Sequence, residues 1–514
     1  MGKLKAGIWL SAAALLSVLS GCDEAPGPAA AIGKEGEAQR AVLKIMKPLF
    51  PGHIYYPDSE LEKLVEAATG VEAVYETPLF NEYRAKLALR IAGGEIPDIV
   101  NTYSPHDPEH NALIDQGVFL ALDDLLPEFP KLRQSFSEAT WNYMRSRKDG
   151  KIYGVPWMRD RGGQGIIIRS DWLERLGLKP PKTLEELTQT LIAFRDRDPD
   201  GNGLKDTIPL TFKDHQIWNI SSVLTLFGVN PGWHPGNDGG RLEYGWVQPG
   251  AKDALKLLRT YRLQGLLDPD LFVGKTLGVD KFLSGKVGVL MMNINDFRQI
   301  AVRPDLKAEL LDPIVHEGHY WSLLQPATPI SRTNQISSQT NDPRAALRYL
   351  EYQVTEGYDY IQYGMEGKTY RIQEGVKIPF PQADKDPRYN TNVGLELVQP
   401  EWLFRDPEKY TKFVPRPMAE YMMGKLDVYE RHILYDYLRP DVALPVYQEK
   451  WTQLNQLLED GLISMLLDAR TDPDQAFAAL AAKWSRQGGD EVTAEINRLQ
   501  QDKSQPSYSY MSKP

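Results

Sequence analysis

The stretches AVLKIM (41–46), PDSELEKLVEAATG (57–70), VEAVYE (71–76), NEYRAKLALRIAGG (81–94) and IPDIVNTY (96–103) stand in close succession, and their alternation decides the fold. AVLKIM, VEAVYE and IPDIVNTY read as buried strands. The two longer segments between them are amphipathic and close on glycine, at Gly70 and at Gly93-Gly94, which is a helix stop signal. Such β-α-β-α-β order predicts a mostly parallel sheet flanked by helices. In open sheets of this kind ligands collect beyond the carboxyl ends of the strands, which points to residues 101–107.

Composition narrows the class. The chain has 514 residues, 42% hydrophobic and 25% charged, enough for roughly two to four domains with a large core. A formal net charge of −10 argues against a general nucleic-acid binder, because a phosphate backbone demands a basic face. The eight histidines are scattered, with only 106/110 and 316/319 closely spaced, and no cysteine lies near them to suggest zinc.

The single cysteine, Cys22, closes MGKLKAGIWLSAAALLSVLSGC, which has two lysines, an apolar run from Ala6 to Val18 and then small residues. This is the layout of an export signal. The run is shorter than the roughly 20 residues that a bilayer-spanning helix needs. LSGC (19–22) resembles the bacterial lipobox, in which the cysteine becomes the acylated first residue of the mature chain; the alternative is an ordinary signal peptide with a chance cysteine. On the lipobox reading residues 1–21 are the signal and 22–40 a flexible tether rich in Ala, Gly and Pro. Two or more acyl chains such as palmitate on Cys22 give a stable anchor, each buried methylene contributing about 0.8 kcal/mol. The protein is then expected at the cell membrane, on its extracytoplasmic face, with neither disulfides nor thiol chemistry.

Helix and strand patterns continue along the chain. DGKIYGVPWMRDRGGQGIIIRSDWLERLGL (149–178) holds a turn, two short strands and a helix capped by Ser170 or Asp171 and ended by Gly177. Thr183 and Glu186 have capping-box spacing, and Leu184, Leu187, Leu191 and Phe194 line one face of the helix they open. From about Leu444 the chain reads almost entirely helical, up to a polar tail at 504–514.

Directly after the Leu184 helix comes DPDGNGLKD (198–206). Calcium takes six to eight oxygens, and a chain coiling round it offers side chains at alternate positions plus one carbonyl, with glycine at the tight turn. Asp198, Asp200, Asn202 and Asp206 fall at positions 1, 3, 5 and 9 of that scheme, with the carbonyl of Leu204 at 7 and Gly203 at 6. Position 12 is Pro209, which excludes a standard EF-hand. The alternative is a plain turn, since Asp, Asn, Gly and Pro are also the favoured turn formers. Three carboxylates within nine residues favour the cation, in a structural role.

GGEIPDIVN, DGKIYGVPW, IIIRSDWLERLGLKPPKTLEEL, DPDGNGLKD, GLLDPDLF, LSGKVGVL and YGMEGKTY, in that order behind the lipobox and ahead of FAALAAKWSRQGG, resemble the extracellular solute-binding lipoproteins of bacterial ABC importers. Within that family the likeness is to the large oligosaccharide-binding branch that includes the alginate-binding proteins. It covers nearly the whole mature chain. The resemblance implies a two-lobed α/β fold of the periplasmic-binding-protein type, each lobe a mostly parallel sheet flanked by helices, closing by a hinge on a sugar chain. It places crossings near 155–163, 321–327 and between 370 and 398, so that 41–157 plus about 325–370 form one lobe and about 158–324 plus 371–503 the other. It also implies a permease partner in the cytoplasmic membrane, a monomer, and calcium in a loop like 198–206. There the relatives add a glutamate after the last aspartate, where this chain has Thr207, a poorer ligand.

A sugar cleft combines aromatic rings for the C–H faces of a pyranose with carboxylates, amides and guanidinium groups for its hydroxyls. Trp157, Arg159 and Asp160 stand at the expected crossover. Tyr103 and Asp107 would face them from the first lobe, Asn293 and Asp296 from the second, and Trp321 lies beside the second crossing. The structural alternative for each is a core aromatic or a solvated loop carboxylate. Two other functions fit an exported chain rich in aromatics and acids: a glycoside hydrolase, which needs two carboxylates about 5 to 9.5 Å apart, and a calcium-dependent surface lectin. No G-x-S-x-G, H-E-x-x-H or P-loop motif is present. Binding without turnover is the expected activity.

Overall fold

The five opening segments become strand Ala41–Met46, helix Glu60–Thr69, strand Val71–Glu76, helix Phe80–Ala92 and strand Ile99–Thr102. Residues 40–499 are described by the computed structural model, apart from 50–54, 103, 106, 147, 237–239, 304, 323, 327, 382, 384–385, 390–394 and 439–443. The export signal, Cys22 with its tether, Tyr103 and the 504–514 tail lie outside the described residues.

Two sheets organise the molecule. The first has the order Val71–Glu76, Ala41–Met46, Ile99–Thr102, Ile330–Ile336, Val155–Met158. Its first three strands are parallel, Ala41 pairing with Val71 and Ile45 with Ile99, whereas Ile330–Ile336 runs antiparallel to both neighbours. The second has the order Ala308–Leu310, Gln164–Arg169, Val287–Asn293, Ile208–Phe212, and only its last pair is parallel. Each sheet is therefore mostly parallel, as expected, with one strand reversed in it: Ile330–Ile336 in the first and Gln164–Arg169 in the second. The cause is topological. Ile330–Ile336 and Gln164–Arg169 begin where the chain arrives from the other sheet, at the edge where the parallel strands end, so they must run the opposite way.

Close packing covers the second sheet. The side-chain oxygen of Thr183 accepts from the Glu186 amide at 3.1 Å, and the Glu186 carboxylate accepts from the Lys182 amide at 2.7 Å, so the capping box forms with its return bond one residue early. The helix it opens, Leu184–Asp196, buries Leu184, Leu187, Leu191 and Phe194. The Phe194 ring meets Trp172 edge to face at 5.2 Å. A Cβ on Gly288 would stand 2.3 Å from the Phe194 ring, so glycine is what lets this helix settle onto the central strand.

The chain crosses between the sheets at 159–163, again just before Ile330, and once more at 412–415. This third crossing is later than expected. Residues 395–411 hold to the first sheet's side: the Leu397 amide donates to Gln353, the Leu397 carbonyl accepts from Asn334, and the Glu401 carboxylate accepts from the Ser137 amide and the Thr140 hydroxyl. From Arg416 onward the contacts change sides, with the Tyr421 hydroxyl at the Leu310 backbone and Lys425 paired with Asp312. Residues 395–411, expected with the second half, thus make these contacts with the first. The sequence misses it because no apolar period marks this largely irregular stretch. Helices Pro445–Leu467, Pro473–Trp484 and Asp490–Leu499 finish the chain, the first of them packed on Pro249–Leu263.

Candidate functional site

The first crossing gathers the site. Strand Val155–Met158 lies beside Ile330–Ile336 with Trp157 opposite Arg332, so both side chains emerge on one face. The Arg332 guanidinium stands 5.7 Å from the centre of the Trp157 ring and 5.8 Å from that of Phe80, a cation–π arrangement with two aromatics. The half-buried Trp157 indole donates to Gln399 Oε1 at 2.9 Å, and Gln399 Nε2 donates to Asp160 at 2.6 Å. Gln399 therefore links an aromatic face to an exposed carboxylate. Arg159 is fixed by its backbone, which donates to the Pro329 carbonyl at 2.8 Å, and by Nε, which donates to the Thr328 carbonyl at 3.1 Å. Two crossing segments are thereby laced side by side.

Cations dominate the surroundings. Lys47, just past the Ala41–Met46 strand, is buried, and desolvation brings its ammonium down to about 7 against the pull of Glu396, with Arg332 pushing the same way as burial. Its ammonium donates to the Glu396 carbonyl at 2.6 Å. Lys412 donates to Gln362; its pKa is lowered first by desolvation, and it lies in the fields of Glu396, Arg298 and Asp160. Glu396 thus favours the charged form of both lysines, while Arg332 opposes it at Lys47 and Arg298 at Lys412.

The edges of both sheets carry buried polar atoms without hydrogen-bond partners: Asn101 Oδ1 and Ser104 Oγ at the first, Gln164 Oε1, Asn295 Oδ1 and both ring nitrogens of His215 at the second. Such atoms are costly unless something meets them. Gln399, Arg332, Phe80, Lys47, Lys412 and His215 were not foreseen. Arg332 and Lys47 were reachable, one facing a predicted aromatic and one just past a predicted strand; Gln399 follows a stretch that carries no local signal.

The remaining candidates divide. Asp107 is committed to its own helix, accepting from the Glu109 amide at 3.0 Å and pairing with Arg84 at 2.9 Å. Asn293 caps a turn through the Asn295 amide, and Asp296 pairs with Lys213 at 2.8 Å, both at the second sheet's carboxyl edge. Trp321 is corrected: it is fully buried, its indole donating to the Gln164 carbonyl at 2.6 Å, which makes it a core residue of the second crossing.

In the 198–206 loop Asp198 adopts φ 50°, and its carboxylate accepts from the amides of Gly201, Asn202 and Gly203 at 3.0 to 3.1 Å. The Asn202 side-chain amide donates to both Asp200 at 2.9 Å and Asp206 at 3.0 Å. The carboxylates thus converge on one donor, and turning that amide over would present its oxygen beside theirs, a donor set that suits calcium. Among the described residues no group of three or more His, Cys, Asp or Glu is drawn together as a metal centre. The Thr207 hydroxyl donates to the Phe194 carbonyl at 2.8 Å, closing the preceding helix.

Two mixed α/β sheets meeting at shared crossings define a two-lobed binding-protein fold. It is the fold of the solute-binding protein FusA of S. pneumoniae solved with kestose (TM-score 0.67, 19% identity, 89% of this chain and 98% of that one) and of alginate-binding protein AlgQ2 solved without calcium (0.64, 17%, 90% and 99%). Residues 56–358 match the family described as bacterial extracellular solute-binding protein, and the chain belongs to it. The polygalacturonan/rhamnogalacturonan-binding protein YtcQ of Bacillus subtilis (strain 168) is 29% identical over 379 residues, covering 70% of this chain and 73% of that protein.

Proposed function

We propose that this chain is a lipid-anchored, monomeric receptor that closes on an oligosaccharide between its two lobes and hands it, unaltered, to an ABC-type importer. The observation that carries the reading is the Trp157–Gln399–Asp160 link beneath Arg332, at the crossing where both sheets end. An aromatic face beside a hydrogen-bonding carboxylate and guanidinium is what a pyranose ring needs. Acylated Cys22 holds the protein at the extracytoplasmic face of the membrane. The guanidinium groups of Arg332 and Arg298, beside two lysines that a nearby anion would hold charged, favour a chain bearing uronic acids, and the polygalacturonan named for the relative agrees with that. The lobes are assigned to 41–158 plus about 328–411, and to about 164–326 plus 416–499. Calcium, held by Asp198, Asp200, Asn202, Asp206 and the Leu204 carbonyl, would fix the loop after the Leu184 helix and take no part in capture.

Calorimetry of the purified protein with acidic and neutral oligosaccharides tests the reading. Binding heat with the sugar recovered intact is expected, and Trp157→Ala should weaken it about tenfold or more. New reducing ends would replace this reading with a hydrolase, and preference for an immobilised polymer with a lectin.

A further inference from the structure

A cavity of about 350 Å³ opens within the second lobe. Its walls are unusually aromatic: Trp218, Trp233, Tyr244, Trp246, Tyr447 and Trp451. The rings brace one another, Tyr447 stacking on Trp451 at 4.6 Å and Trp218 meeting Trp246 edge to face at 5.0 Å. The indole nitrogen of Trp233 is buried and has no hydrogen-bond partner. One carboxylate, Asp436, lines the same space. It accepts from the backbone amides of Trp233 at 3.2 Å and Leu438 at 2.9 Å, both through Oδ1. The backbone comes so close at Gly232 that a Cβ there would lie 2.8 Å from the carboxyl carbon. Among the described residues the groups acting on Asp436 are burial itself and those two amides. Leu324, also in the lining, precedes by a few residues the Thr328 carbonyl that holds Arg159, so the cavity adjoins the second crossing.

A carboxylate set among rings, with no counter-charge among the described residues and one oxygen uncommitted, is expensive unless a donor arrives that brings no negative charge. We propose that this cavity is a subsite for an uncharged sugar ring, stacked on the aromatic wall with hydroxyls donating to Asp436. The inference rests on the capture reading and deepens it. A uronic acid here would set two carboxylates together, so this subsite rejects the very group that the Lys47–Arg332–Lys412 cluster attracts. The preferred ligand then carries both kinds of residue, an acidic one at the crossing and a neutral one in the aromatic cavity.

Wild type, Asp436→Asn and Trp218→Ala are titrated with three probes: kestose, an alternating rhamnose–galacturonate tetrasaccharide, and tetragalacturonate. Asn keeps the shape and an acceptor for the two amides; melting curves without sugar check that both variants are folded. The expected result is that Asp436→Asn and Trp218→Ala each weaken whichever of the first two probes wild type binds, by about tenfold. Tetragalacturonate should bind the Asn variant at least as well as wild type. Unchanged affinity for the neutral or mixed probes in Asp436→Asn, or a wild-type preference for tetragalacturonate over both, overturns the subsite. A wild type that binds none of the three overturns the capture reading and this inference together, which separates the two failures.

Discussion

Asp436 shows how much a single side chain records about its surroundings. Burial holds its carboxyl up at about 6, eased only by the amides of Leu438 and Trp233, while the nearby Tyr244 and Tyr447 stay neutral. In the unfolded chain the same group ionises near the ordinary value of about 3.9. Between those two pH values the folded protein keeps a proton that the unfolded chain has released, so stability is greatest below the window, falls as pH rises through it and levels off above. Asp436→Asn removes this slope. The variant should melt above wild type at pH 7.5, by the equivalent of about 2 kcal/mol, and lose most of that advantage at pH 4. The same gap at both pH values would show that its charge carries no cost. Nothing around Leu434–Asp436 in the sequence hints at this, because the rings that enclose Asp436 come from 218–246 and 447–451.

At the scale of elements, the 198–206 loop ties the end of helix Leu184–Asp196 to strand Ile208–Phe212. Its carboxylates are crowded, Asp206 exposed and Asp198 and Asp200 half-buried; the desolvation of Asp198 is outweighed by the amides of Gly203, Asn202 and Gly201, which hold it below the usual range, whereas Asp200 is raised by desolvation and by its neighbouring aspartates. Removing calcium with a chelator should therefore lower the melting temperature by several degrees, and Asp200→Ala should abolish that response while sugar affinity stays unchanged. A chelator with no effect would leave the loop a turn. The opening strands and helices, the capped Leu184 helix and the Trp157 crossover were legible because each depends on local periodicity or a cap. The third crossing, Gln399 and the aromatic cavity were not, because they arise where stretches hundreds of residues apart meet without a repeating pattern. Trp321 misled for the opposite reason: a tryptophan beside a crossing looks the same in sequence whether it faces a ligand or the core.

The whole molecule depends on how its halves are coupled. Arg161, in the first crossing, is almost fully buried and forms a two-pronged pair with Glu430, Nε to Oε1 at 2.8 Å and Nη2 to Oε2 at 2.9 Å, with Asp427 at 2.5 Å. These pairs hold the guanidinium charged despite a burial cost that opposes it. They clamp the crossing to helix Arg416–Glu430, which begins just past the third crossing. Glu430→Ala leaves the buried guanidinium with Asp427, which is exposed, as its one carboxylate partner and should cost about 3 kcal/mol in urea unfolding. A cost below about 1 kcal/mol would mean that the clamp is not what unites the two crossings.

That third crossing turns through two adjacent residues, Lys412 at φ 51° and Phe413 at φ 57°, a backbone shape that side chains resist. All the strands of both main sheets lie before it in the chain, and the Arg416–Glu430 and C-terminal helices lie after it. A nick at this bend would thus give two unequal pieces, one holding both main sheets complete and the other the later helices together with strand Leu434–Asp436. The Trp157 crossing and the Asp436 wall of the aromatic cavity would then lie on different pieces, so cutting one peptide bond at this bend would divide the two surfaces between separate chains.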